Sequence, residues 1–441
     1  KTSLQVHIPS SRAGGGAAAL RMSLSSHATR GIAARTLAMI ALLGSLVVGL
    51  PDKGNADPSK LKLTFGVRQE YNDNIFFDAE DPESDFITTG IFAVDLGYET
   101  ERLQAHAVGR WEGYSYLDNS RLDDVDQDYR LGLDYRFTPK LKGGVSGAYI
   151  RDYRRDRQAE VTGVVFENEE RVRYEAETSW EYLLTEITAL TLSATYWNDD
   201  YERDPSFRDE FRDLEAYGGT LGLSRALRVF NRPTYGRVNA GYFHYEYETS
   251  ETDYYYLNLG FSSEISETYT LLLDVGPRYT ESEYPVARLV PAPIPGFFFV
   301  VQDTETSSDW GGSGRLSLAY DGEKTNWAAA LSREITASSG QNQAVERTEA
   351  RFDWRHWFSW EWRGILQLRY FISESDRDDL GLNDVDEDTF IAHPQVYYRF
   401  TPDWSVRGSY RYTWEKDHEE DTTTERNQVM VELVYNLPIW E

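Results

Sequence analysis

The sequence predicts an all-β chain, closed into a transmembrane antiparallel up-and-down β-barrel of about 18 strands. Three observations predict it. Apolar and polar residues alternate with a period of two along most of the chain. Short and long connections take turns. Aromatic residues cluster where strands should meet a membrane interface.

The alternation is clearest in 404–414, where Trp404, Val406, Gly408, Tyr410, Tyr412 and Trp414 share one face and Ser405, Arg407, Ser409, Arg411 and Thr413 the other. Residues 61–71, 190–196 and 427–435 read the same way. Short connections fall near 99–101, 138–139, 185–186, 228–233, 266–267, 322–323, 359–361 and 401–402. Acidic, mostly longer ones fall near 72–85, 118–127, 156–168, 202–209, 249–252, 285–308, 338–345, 375–386 and 416–424. Such segregation predicts short periplasmic turns and longer extracellular loops. A soluble propeller or sandwich has no reason for it.

Composition narrows the function. With 73 acidic against 45 basic residues the net charge is −28, which argues against a nucleic-acid partner. The absence of Cys excludes disulfide scaffolds, thiol catalysis and Cys-ligated metal sites. A mean hydropathy of −0.57 is wrong for a helical membrane protein. An aromatic content of 14% is wrong for a disordered chain.

Residues 1–56 read as an upstream segment and a cleaved secretory signal peptide. Arg30 and Arg35 precede an uncharged apolar run at 36–50, and Gly54-Asn55-Ala56 offers small residues for cleavage before Asp57. Residues 57–441 are then the barrel, set in an outer membrane.

At the end of the first predicted strand Tyr71, Asn72, Asp73 and Asn74 run into Ile75 and Phe76. This YNDNIF hexapeptide resembles the hallmark of a family of outer-membrane β-barrel porins, including barrels associated with exosortase and exopolysaccharide systems. The resemblance implies an outer-membrane channel, with exopolysaccharide export as one role and envelope export-system proteins as partners. The C-terminus departs from the usual terminal aromatic: Leu437-Pro438-Ile439-Trp440-Glu441 suggests a weakened insertion signal or a final strand ending near Asn436.

With apolar positions facing lipid, Arg351, Arg355, Arg363, Arg369, Arg399, Arg407 and Arg411 point inward on four consecutive strands about 4.8 Å apart. Arg68, Arg110, Arg130 and Arg136 add to this wall, and Glu349, Asp353, Asp95 and Asp134 supply counter-charge. Two readings stay open: a field that selects anionic solutes, or Arg–carboxylate ladders that brace a wide barrel. A closed sheet of this size is roughly 35 Å across. The Pro-rich, apolar 285–308 stretch, with Phe297, Phe298 and Phe299, is expected to fold inward as a constriction or to dock on a partner, with an outward extension of the barrel wall as the alternative.

Asp124, Asp126 and Asp128, echoed by Asp384, Asp386 and Asp388, offer hard oxygens to calcium or magnesium, though solvated loops or cation bridges to lipopolysaccharide explain them as well. Each acidic run precedes a strand ending in Tyr-Arg-Phe-Thr-Pro, at 135–139 and 398–402. No cofactor is expected. Catalysis is disfavoured: no Gly-x-Ser-x-Gly occurs, and of His106, His244, His356, His393 and His418 only His418 sits among loop acids. The function expected is a porin-like channel lined by Arg, with lipid and lipopolysaccharide as partners. The alternatives are a non-conducting scaffold barrel plugged by 285–308 and an outer-membrane hydrolase.

Overall fold

The computed structural model describes residues 59–153, 170–201, 213–227, 232–247, 250–291, 298–337, 344–375, 385–419 and 421–440. The expected signal peptide, Phe297 and Asp384 lie outside these residues. Eighteen strands follow one another: β1 (Ser59–Asn72), β2 (Asp85–Glu99), β3 (Leu103–Tyr116), β4 (Asp124–Thr138), β5 (Leu141–Asp152) and β6 (Arg171–Thr185). Next come β7 (Thr188–Tyr201), β8 (Leu214–Leu227), β9 (Thr234–Tyr247), β10 (Glu251–Glu264), β11 (Tyr269–Pro291) and β12 (Phe298–Asp321). The last are β13 (Thr325–Ala337), β14 (Ala344–Trp357), β15 (Trp362–Glu374), β16 (Asp386–Arg399), β17 (Trp404–Asp417) and β18 (Thr422–Trp440). Each pairs antiparallel with its sequence neighbours, and β1 pairs with β18, so the sheet closes.

Closure leaves one face to lipid and one to the interior. Val67, Leu133, Val145, Leu192, Leu221, Leu259, Leu331, Val396 and Val431 are exposed on the outer face. Outward aromatics form two bands. Near the extracellular side Phe65, Phe92, Trp111, Tyr129, Tyr149 and Tyr174 touch in sequence across β1–β6, and Tyr242, Tyr255, Tyr279 and Trp310 across β9–β12. Near the periplasmic side lie Phe137 on Trp180, Tyr320 on Trp327, Trp362 on Tyr398 and Trp404 on Tyr435. Eight residues of strand, from Tyr129 to Phe137, rise about 21 Å at a tilt near 40°, close to the apolar thickness of an outer membrane.

Five of the periplasmic turns share one chemistry. The hydroxyls of Thr100, Thr138, Ser266, Ser359 and Thr401 each accept backbone N–H groups two and three residues ahead, as Thr138 does from Lys140 and Leu141 at 3.2 and 3.0 Å. The side chain supplies acceptors that the tight bend lacks, and Pro139 and Pro402 pre-set the next φ.

Two expectations need correction. The segment 285–308 is not a long loop: β11 and β12 continue pairing from Pro285↔Thr304 to Pro291↔Phe298, so the backbone extends this hairpin beyond its neighbours. A run of apolar residues and prolines reads as a connection, yet a paired partner strand keeps it regular. The last strand does not stop at Asn436 but runs to Trp440, where Pro438 sits beside a register shift against Leu61 and Lys62. A bulge is where a strand tolerates a residue without an N–H.

Candidate functional site

The interior is built strand by strand. On β15–β17, from the periplasmic rim to mid-height, the inner face carries Arg363, Arg369, Arg399, Arg407 and Arg411 and no carboxylate. Arg363 lies 4.3 Å from the Tyr397 ring. Arg407 donates to the Tyr397 hydroxyl at 3.2 Å and to Glu432 on β18 at 2.6 Å. Arg411 approaches His393 Nδ1 at 3.5 Å, and Arg369 stands opposite Arg351 in the β14–β15 register. On β14 Arg351 binds Asp353, which also accepts from Gln367 at 3.1 Å. Glu349 shares this inner face, and Arg355 lies 5.8 Å from the Trp357 ring. Arg68 joins the far side, donating to Glu112 at 3.1 Å and lying 3.7 Å from Glu432.

The parity that places these arginines also places an acidic ladder that reading the basic residues alone overlooks. Glu175, Glu177 and Glu181 alternate on the inner face of β6. Eight strands lie between β6 and β15 in either direction around the sheet, so the ladder lies across the lumen from the arginine-rich wall. The signal in the sequence was there: outward Tyr174, Ala176, Thr178, Trp180 and Tyr182 interleave with these acids. Beside the ladder a recess of about 460 Å³ is lined by His106, Glu175, Glu177, Trp197 and Thr336, among others.

Two segments narrow the extracellular half of the lumen. On one side the YNDNIF segment folds into the mouth. Asn74 accepts from the Asp78 amide at 2.9 Å and donates to the Asp78 and Glu425 carbonyls, while Asp73 accepts from the Asn427 backbone and side chain at 2.7 Å each. Asn72 is buried and accepts the Asn74 amide at 3.0 Å, Tyr71 packs on Phe86, and Ile75 is buried with inward Ile87, Tyr114 and Tyr116. The motif ties the first loop to β18 and folds it over the opening.

On the other side the end of the β13–β14 hairpin enters the barrel. Pairing between β12 and β13 ends at Gly314↔Arg333, level with Gly311, Gly312 and Gly314, which have no side chains to hold a neighbour. Beyond it, Ile335, Ala337 and Glu346, which by parity belong to the lipid face, pack instead on the inner face of β8–β11. Ile335 and Ala337 are buried with Leu214, Ala216, Tyr245, Tyr247 and Tyr254. Tyr245 donates to the Ile335 carbonyl at 3.4 Å, and the buried Arg278 of β11 donates to Glu346 at 2.6 Å. Arg333 also binds Glu346. Arg333 and Glu346 on the outer parity would sit among acyl chains if the hairpin stayed in the wall; turning it inward gives them each other and Arg278.

This hairpin occupies the lumen where 285–308 was expected to. Phe298 and Phe299 lie in β12 opposite Pro291 and Val290. Asp126 is buried and accepts from Tyr114 at 2.8 Å; Asp128 binds Arg130 and Asp124 lies 3.4 Å from Arg151. The two acidic runs differ in orientation. Asp124, Asp126 and Asp128 take inner parity, Asp386 and Asp388 outer parity, so the hairpin echo holds at the Thr-Pro turns and fails at the rim. His418 lies 3.2 Å from Asp388. Among the described residues no three Asp, Glu or His groups stand together as a metal cage.

A closed sheet with an apolar, aromatic-banded outside and a charged inside is a porin-like β-barrel of the outer membrane. No protein-family model matches the chain, and no characterised protein matches it in sequence. Among solved structures it is similar to the copper transporter OprC (10% identity, TM-score 0.43, 84% of this chain) and the ferric citrate transporter FecA (11%, 0.46, 82%). It spans 64% and 61% of those two chains, under two thirds of either. It is also similar to OccK2 (OpdF) of Pseudomonas aeruginosa, at 9% identity and TM-score 0.43, covering 88% of this chain and 100% of that one.

Proposed function

We propose that this barrel is a narrow passive channel for small anionic solutes. The observation that carries the reading is the periplasmic half of the inner wall of β15–β17, where these strands contribute five arginines and no carboxylate of their own, facing Glu175, Glu177 and Glu181 across the lumen. Opposed rows of charge orient a dipolar solute and favour anions close to the basic side. Arg's planar fork suits transient carboxylate or phosphate contacts. The β13–β14 hairpin sets the size limit. An exopolysaccharide, the cargo that the resemblance of Tyr71–Phe76 implies, would have to displace that hairpin, so small solutes fit the resting shape better.

The second reading, a non-conducting scaffold, is favoured by the burial of inward side chains around the extracellular half, such as Ile87, Tyr114, Leu214 and Val345. Single-channel recording in planar bilayers separates the two. Small discrete steps that shrink several-fold in chloride when Arg369 and Arg411 are both replaced by Gln support the channel. Silence from folded protein supports the scaffold.

A further inference from the structure

At the extracellular ends of β14–β17 the inner face carries a row of oxygen atoms that the barrel leaves incomplete. The register sets Arg347 beside Ser373, Ser373 beside Glu387 and Glu387 beside Asp417; one rung lower Thr389 stands beside Glu415. Glu387 is 5% exposed, and Ser373 and Thr389 are 1% exposed each. Glu387 Oε2, Ser373 Oγ and Thr389 Oγ1 are nonetheless buried without a hydrogen-bond partner. Three orphaned oxygens on two adjacent strands call for a ligand, since buried polar atoms are otherwise nearly always satisfied.

The surroundings define its charge. Glu387, Glu415 and Asp417 bring three carboxylates to the patch, with Asp386 nearby; Arg347 stands on β14 and Arg426 on β18, one rung below Glu415. Arg347 also rests 4.9 Å from the Phe371 ring. Glu387 Oε2, Ser373 Oγ and Thr389 Oγ1 are hard oxygens, which suits calcium or magnesium and excludes soft metals. Donors spread over three strands in an irregular arrangement fit calcium, which tolerates six to eight oxygens, better than the strict octahedron of magnesium.

We infer that this rim patch binds a divalent cation of the calcium type, held by Glu387 with Ser373, Thr389 and the neighbouring Asp417 and Glu415 carboxylates. Among the described residues no group of three acidic side chains converges by itself, so water completes the shell and binding is weak, in the range of about 10⁻⁴–10⁻³ M seen for extracellular sites. Glu387 is the second residue of β16, above the acyl band, where the outside medium supplies such ions.

The test uses the whole barrel folded in detergent micelles and stripped with EDTA, titrated with Ca²⁺ by calorimetry and by displacement of luminescent Tb³⁺. Saturable Ca²⁺ binding is expected. Glu387→Gln should weaken it at least about tenfold, while Asp128→Asn, on the distant β4, leaves it unchanged. Heat-modifiable migration in gels checks that each variant is folded. If Glu387→Gln does not fold, Ser373→Ala and Thr389→Val serve, each expected to weaken binding several-fold. Absence of saturable binding to the native barrel, or equal binding by every folded variant of these three positions, overturns the proposal.

Discussion

Glu387 shows how much a single side chain can say about this molecule. Burial and the carboxylates of Glu415 and Asp417 push its carboxyl well above the usual range; Asp386 adds to the push and Arg347 opposes it. In the unfolded chain the group titrates near about 4.3. Below that pH both states hold the proton and nothing is lost. As pH rises past it, the unfolded chain ionises first, and the folded barrel loses stability until Glu387 ionises as well. The cation-stripped barrel should therefore resist heating better near about pH 5 than near about pH 8. Glu387→Gln should remove much of that difference, and calcium should restore resistance at the higher pH. The measurement is the temperature of the mobility shift in gels; identical pH profiles for native protein and variant would contradict it. Period-two parity alone put Arg351, Arg407 and their neighbours on the inner face. It could not show that Asp126 is buried under Tyr114, or that Ser373 and Thr389 lack hydrogen-bond partners, because both depend on side-chain contacts between strands.

At the scale of the element, the sequence was readable wherever a strand had lipid on one side and water on the other. All 18 strands and their turns have that property in their lower halves. It fails where strands leave the membrane. The 285–308 stretch carries prolines and apolar runs without alternation, so nothing local marks it as strand, yet β11 and β12 pair through it. The β13–β14 hairpin is the converse case. Arg333 and Glu346 break the apolar outer face, a signal that this hairpin cannot stay in the wall, though Arg278, the second partner of Glu346, is known only from the fold. Removing one member of a buried charge pair costs about 3–5 kcal/mol. Glu346→Ala should accordingly loosen the hairpin and give larger, noisier current steps in planar bilayers. Unchanged steps from folded protein would mean that the hairpin is not the constriction.

The whole molecule is a closed wall with two environments, and its function rests on what the inner one does with charge. The chain carries a net charge of −28, and acidic residues such as Asp85, Asp124, Glu387 and Asp417 stand at the extracellular ends of the strands. Bulk charge therefore argues for cation preference, whereas the arginines of β15–β17 argue for anions. The narrowest part should decide, since permeating ions meet the wall most closely there. The direct test is the reversal potential of the native barrel in a planar bilayer under a potassium chloride gradient. A potential shifted toward that of chloride, moving toward zero when Arg363, Arg369 and Arg411 are replaced by Gln, is predicted. A potential of the opposite sign, unaffected by those substitutions, would contradict the assignment of this wall as the selective surface.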